Sequence, residues 1–225
     1  MKRIQVLRAG IIEHSQVSDV MRVMQQKRID DEIIDSIILV EHPEIVTIGP
    51  KAIRNGAIVS DEYNQSIVDR GGGITWHGPG QLVVYPIIKW TPEEQSIRGI
   101  INKIEQLVIK TLEDLGINGY RDPAMMGVWV DQKKICSIGL AFLHWVSRHG
   151  LALNYATPGK RIENLACCGM ELGVTTSLDK LGYNTDTNGE KITRELLEKK
   201  IISNIESVLG RIPDESIEWE IEEFI

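Results

Sequence analysis

Arg70-Gly71-Gly72-Gly73-Ile74-Thr75-Trp76-His77-Gly78-Pro79-Gly80-Gln81 packs five glycines into twelve residues directly ahead of an apolar run. Consecutive glycines allow positive φ and let backbone N–H groups approach a ligand that side chains would hold away. The segment lacks the Gly-Lys-Ser/Thr of a P-loop. It is no dinucleotide fingerprint either, because it leads into a strand and not a helix. A ligand-contacting loop is the reading favoured over a flexible connection. His77 and Arg70, taken alone, read as loop residues bonded to backbone.

Two further residue types could do covalent chemistry. Cys168 follows Cys167 and precedes Gly169; a free cysteine is usually inert core, but becomes a nucleophile when a nearby cation stabilises its thiolate. Lys134 opens Lys134-Ile135-Cys136-Ser137-Ile138-Gly139, a β-run whose glycine admits close backbone approach. Taken alone, Lys134 reads first as a solvated turn lysine. Cys136 falls on the same side as Lys134 in a regular strand and competes as nucleophile, although a small buried apolar role suits it better. Nothing in the spacing brings Lys134 and Cys168 together.

The elements that must position these groups follow from periodicity. Val17, Val20, Met21 and Met24 share one helical face, predicting a helix over 15–27. Ile33 to Val40 and Ile45 to Ile48 read as strands broken by His42-Pro43. Thr91, Pro92 and Glu94 form a capping box that opens a helix over 92–115, with Gly116 at its C-terminal end. Strands are expected at 82–88, 127–130, 135–142 and 151–155, with a hairpin turn at Asp131-Gln132-Lys133, and a last helix at 194–209 ends at Gly210. This irregular order predicts an α+β fold, a mixed β-sheet flanked by helices.

The 225 residues, 42% apolar and 25% charged, suit one globular domain, expected over 1–213, with an acidic extension over 214–225. That tail holds six acidic residues of a net charge of −7, leaving −1 elsewhere and arguing against a nucleic-acid protein. Residues 131–161 carry a surplus of +4, a candidate face for acidic partners or a scattered solvated surface. Apolar runs are too short to span a bilayer, and Met1 to Gln5 is not followed by a signal-type stretch. A cytoplasmic protein, not membrane-bound, is expected. Three cysteines, two of them adjacent, make a poor disulfide framework and fit a reducing compartment.

From about Ile37 to Leu178 the chain resembles the octanoyltransferases of lipoate synthesis. Arg70 to Gln81 is similar to their signature Arg-Gly-Gly-x-x-Thr-x-His-Gly-Pro-Gly-Gln at every specified position. Glu41-His42-Pro43 with Thr47-Ile48-Gly49, Lys134-Ile135 with Ile138-Gly139, His149 to Asn154, and Cys168-Gly169 with Thr176-Ser177 are similar in order and spacing. Cys136 departs from the pattern, standing where alanine is commoner, and Cys167 adds a second thiol.

The resemblance implies the fold of lipoate and biotin protein ligases, with Cys168 as acyl-carrying nucleophile and Lys134 as its activator. It implies an acyl pocket formed by Arg70, Gly71, Gly72, Gly73, Ile74, Thr75, Trp76, His77, Ser137, Ile138, Gly139, Gly150, Leu151 and Ala152. Neither a metal nor a cofactor is implied. The donor would be octanoyl-acyl carrier protein; the acceptors would be lipoyl domains of 2-oxoacid dehydrogenase complexes and the glycine cleavage H protein. A monomer is expected. Two alternatives stay open: an ATP-dependent lipoate-protein ligase, and a non-catalytic module binding acyl carriers or lipoyl domains.

Overall fold

The computed structural model describes residues 2–123, 125–165 and 171–219. Its centre is a mixed sheet whose strands run in the order β11-β1-β2-β6-β10-β9-β8-β7, with β12 also paired to β1. In chain order these are β1 (Lys2–Ile11), β2 (Asp35–Glu41), β6 (Gln81–Ile87), β7 (Tyr120–Asp122), β8 (Met125–Val130), β9 (Lys133–Leu143), β10 (Val146–Asn154), β11 (Arg211–Pro213) and β12 (Ile217–Glu218). A small sheet joins β3 (Ile45–Ile48) at its centre to β4 (Gln65–Ile67) and β5 (Ile74–His77). The helices are α1 (His14–Ile29), α2 (Pro50–Arg54), α3 (Ile97–Glu113) and α4 (Arg194–Leu209). The α+β class and mixed sheet expected from the sequence are the architecture found. No described helix is long and apolar enough to cross a membrane.

All seven residues of β2 and of β6 are buried, because both faces of the sheet are covered. Alternation divides them: Ile37, Leu39, Leu82 and Val84 pack towards α3 and α4, while Ile38, Val40, Val83 and Tyr85 pack towards α1. A strand covered on both sides reads as a continuous apolar run, which is why both stood out in the sequence. On α3, Ile100, Ile104, Leu107, Val108 and Leu112 form the buried stripe. Each such side chain contributes roughly 1.5–3 kcal/mol.

Five departures from the sequence reading matter. The helix expected over 92–115 is divided: the capping-box residues open a 3-10 turn over Pro92–Glu94, and α3 starts only after Ser96, whose Oγ accepts from the Gly99 N–H. In that turn the Glu94 carboxylate accepts from the Thr91 N–H at 3.2 Å and from Arg211 at 2.6 and 2.7 Å. Ile74 to His77 form a strand within the glycine-rich segment, antiparallel to β3. The strand expected from Leu151 begins at Val146, so Arg148 and His149 lie inside the sheet. Lys133 and Lys134 belong to β9; the turn is the pair Asp131-Gln132, at φ 47° and 65°, the positive pair of a type I′ hairpin. The segment after Asp214 pairs with β1, and Trp219 is buried.

The basic surplus at 131–161 does not form one face. Lys134 and Arg148 are buried, and Arg161 is clasped by Glu44 through bonds of 2.7 Å from Nε and from Nη2.

Candidate active site

Lys134 is only 3% exposed, in contrast to a solvated turn lysine. The register of β8 against β9 shifts between Val128 and Trp129, which sets Trp129 opposite Lys134. Gly127, at φ +124°, lies under the Lys134 side chain; a Cβ there would fall 2.7 Å from Lys134 Cε and 2.3 Å from the Cys136 carbonyl oxygen. No other residue type fits that slot without displacing the lysine. The Gly127 N–H in turn donates to the buried Glu105 carboxylate at 3.0 Å.

On its free side Lys134 is bridged in parallel to Thr175: its N–H donates to the Val174 carbonyl at 2.9 Å, and its carbonyl accepts from the Thr176 N–H at 3.0 Å. The Gly173 N–H donates to the Glu163 carbonyl at 2.8 Å, joining the two limbs that flank residues 166–170. The Glu163 carboxylate accepts from Thr176 Oγ1 and Lys180 Nζ. Leu165, the last described residue of the first limb, packs in one cluster with Trp129. Cys168 and Cys167 lie outside the described residues. Cys136 is fully buried, and burial pushes its thiol up to about 12, against the opposing field of Lys134. Its place is in the hydrophobic core, as a small buried apolar residue.

Beside this centre lies a narrow cleft, open at its mouth. Arg70, Thr75, His77, Ser137, Ile138, Gly139, Gly150, Leu151 and Ala152 line it, together with His14, Val83, Tyr85 and His149. Gly71, Gly72, Gly73, Ile74 and Trp76 do not line it. The alternation of β5 sends Thr75 and His77 to the cavity and Ile74 and Trp76 into the cluster with Trp129 and Leu165. Gly71 packs behind Gly139, which lines the cavity, whereas the Gly72 and Gly73 carbonyls accept from the Lys51 and Gly49 N–H groups. The Gly71 N–H donates to the Leu140 carbonyl, and a Cβ on Gly139 would come within 2.8 Å of the Gly71 carbonyl oxygen. Arg70 is a brace: its guanidinium donates to the carbonyls of Gly71, Gly73 and Thr47, and to Thr47 Oγ1 at 2.7 Å.

His14, His42, His77 and His149 converge here with Tyr85. His42 bonds the Ile12 carbonyl through Nδ1 and the Tyr85 hydroxyl through Nε2; His77 contacts Gln81 and Thr47. His149 holds φ +60° and lies 3.0 Å from Asp69, which also accepts from Arg148. Burial would raise the Asp69 carboxyl, but the bonds from Arg148 and His149 bring it down to about 2. His42 and His149 stand within motifs already noted, which was the signal for them. His14 and Tyr85 had none.

Burial lowers His14, His42 and His149 to about 4, and lowers His77 as well. Between pH 4 and 6.5 the unfolded chain therefore binds more protons than the folded one. The stability contributed by the neutral imidazoles is complete above pH 6.5 and is lost as pH falls below it. Each of the three contributes about 1 kcal/mol of loss by pH 5.5. The melting temperature is expected to fall steadily from pH 7 to 5.5; a flat profile there would refute the buried neutral state.

Residues 16–206 match the sequence model of the lipoyl protein ligase A/B catalytic domain. An octanoyltransferase of Syntrophobacter fumaroxidans is 34% identical, over 87% of this chain and 88% of its own length. The chain belongs to the octanoyltransferase family. Another octanoyltransferase, from Rubrobacter xylanophilus, is 35% identical over 89% of this chain and 91% of its own. The fold is shared more widely. A bipartite lipoate protein ligase from Thermoplasma acidophilum superposes with a TM-score of 0.64 at 14% identity, covering 99% of this chain and 90% of that one. A biotin protein ligase from Aquifex aeolicus does so at 0.50 and 12%, covering 100% and 75%. The ligase-like fold implied by the sequence is the fold of this octanoyltransferase-family acyltransferase.

Proposed function

We propose that the chain moves an octanoyl group from the thioester of an acyl carrier protein to a lysine of lipoyl domains, through a thioester on Cys168. The supporting observation is that both limbs flanking residues 166–170 are anchored on the surroundings of Lys134, Thr175 directly and Leu165 through Trp129.

In the first half-reaction the Cys168 thiolate attacks the acyl carbonyl carbon, and the bond to the carrier's sulfur breaks, releasing a thiolate that takes up a proton. One thioester replaces another, so the step is near thermoneutral and calls for no ATP. In the second, the acceptor's ε-amine attacks the acyl-enzyme. The carbon–sulfur bond to Cys168 breaks, returning the thiolate, and the amine's proton passes by way of Lys134 to solvent. The acyl chain lies in the cavity against Ala152, Val83 and the backbone of Gly139 and Gly150. The acceptors are lipoyl domains of 2-oxoacid dehydrogenase complexes and the glycine cleavage H protein. A free thiolate suits the cytoplasm, a reducing compartment.

The test is intact mass after incubation with octanoyl-carrier protein, for wild type and for Cys136→Ser, Cys167→Ser and Cys168→Ser. An octanoyl adduct on all but Cys168→Ser is expected. An adduct that persists in Cys168→Ser would dismiss the assignment, and ATP-dependent transfer of free octanoate by Cys168→Ala would establish a ligase instead.

A further inference from the structure

Among the four clustered imidazoles, His14 differs from the rest. It is 3% exposed and lines the cavity, yet its Nδ1 has no hydrogen-bond partner among the described residues. Its ring stacks on His77 at 5.9 Å and meets His42 edge-on at 5.3 Å. Leaving a buried polar nitrogen unpaired works against stability, and the packing of α1 needs no polar group there, since Val17, Val20, Met21 and Met24 supply its buried stripe. What distinguishes the position is the cavity it faces.

The sheet order places this orphan relative to the chemistry. Lys134 lies on β9, followed across the sheet by β10, β6 and β2. His42 directly follows β2, and its Nε2 is 2.8 Å from the hydroxyl of Tyr85 on β6. His14, against His42, therefore sits two to three strands from Lys134, roughly 10–15 Å at ordinary strand spacing. The cavity between them is walled in its middle by Gly139, Gly150, Ala152 and Val83, and ends in His14, His77 and Tyr85. An acyl chain whose carbonyl lies by Lys134 has its methyl end towards the imidazoles.

We infer that His14 sets the chain length this enzyme accepts, as a polar floor on which a longer alkyl chain cannot rest favourably. This rests on the acyl-transfer reading above. A chain that ends short of the floor keeps its methyls on apolar side chains. Added methylenes are pressed against imidazole nitrogens that they cannot satisfy, so binding gained per carbon ceases and reverses.

The experiment compares kcat/KM for octanoyl, decanoyl and dodecanoyl carrier thioesters in wild type, His14→Leu and His14→Gln. Wild type is expected to favour octanoyl. His14→Leu, of similar size but apolar, is expected to raise the dodecanoyl-to-octanoyl ratio roughly tenfold, while His14→Gln keeps the wild-type ratio. A wild-type comparison guards against variants that do not fold: an ω-hydroxydecanoyl thioester, whose hydroxyl can bond the imidazole, is expected to serve at least as well as decanoyl. An unchanged ratio in folded His14→Leu, or a several-fold preference for decanoyl over its hydroxylated counterpart in wild type, would overturn the inference alone. Absence of transfer with every thioester would overturn it together with the acyl-transfer reading.

Discussion

Exchanging Lys134 for methionine is expected to lower kcat/KM for octanoyl transfer on the order of 10³-fold, the scale of a lost general acid–base group. Methionine fills the buried slot with little change in volume, so the melting temperature should hold while activity disappears. The neighbouring glycine gives an independent route to the same result. At Gly127 an added Cβ would press on Lys134 Cε, 2.7 Å away, and on the Cys136 carbonyl oxygen, 2.3 Å away, from a backbone at φ +124°. Gly127→Ala should therefore shift the amine without removing it and reduce kcat on the order of 10²-fold. Lys134→Met activity within tenfold of wild type, measured by acyl transfer to a lipoyl domain, would dismiss the lysine from the mechanism.

The largest loss of stability is expected at Asp35, well away from the chemistry. This carboxylate, 2% exposed, accepts from Arg28 Nε at 2.7 Å, from Arg211 Nε at 3.2 Å and from the Lys89 N–H at 3.0 Å. Arg211, also 2% exposed, stacks on Trp90 with its guanidinium 4.9 Å from the ring centroid. Asp35→Ala would leave the Nε donors of Arg28 and Arg211 and the Lys89 N–H without their acceptor, although Asp31 still pairs with Arg28 and Glu94 with Arg211, a loss of roughly 3 kcal/mol. Asp35→Asn keeps the shape and part of the hydrogen bonding, and should lose less. Denaturant titration measures both. A loss for Asp35→Ala below about 1 kcal/mol, typical of surface pairs, would show that Glu94 on Arg211 and Asp31, 2.6 Å from Arg28 Nη1, carry the arginines unaided.

What could be read from the chain was whatever is written locally. The stripe of α4 and its Gly210 cap, and the apolar runs of β2 and β6, follow from periodicity alone. The burial of Lys134 does not, because it depends on β8 pairing in a shifted register and on Gly127 being the residue beneath it. Lys133-Lys134 after Asp131-Gln132 reads as a solvated turn until that partner strand is in place. Ile74 to His77 were hidden inside a glycine-rich segment, since their strand character comes from β3, nearly thirty positions earlier. The motif resemblance brought Ser137 to Gly139 and Gly150 to Ala152 into view, where local pattern gave no reason to single them out. His14 escaped both routes. A lone histidine at the start of an amphipathic helix carries no local mark, and only the rings of His42 and His77 around it reveal its setting.

The neighbours of β1 carry a consequence for how the chain matures. Lys2 to Ile4 pair with Arg211 to Pro213, and Leu7 and Arg8 with Ile217 and Glu218. During synthesis β1 leaves the ribosome far ahead of β11 and β12 and keeps that side bare until they follow. A bare strand side is a template for pairing with other chains, and closure between such distant segments is slow. Nascent chains stalled before residue 211 should therefore be more prone to associate and to engage chaperones than the released protein.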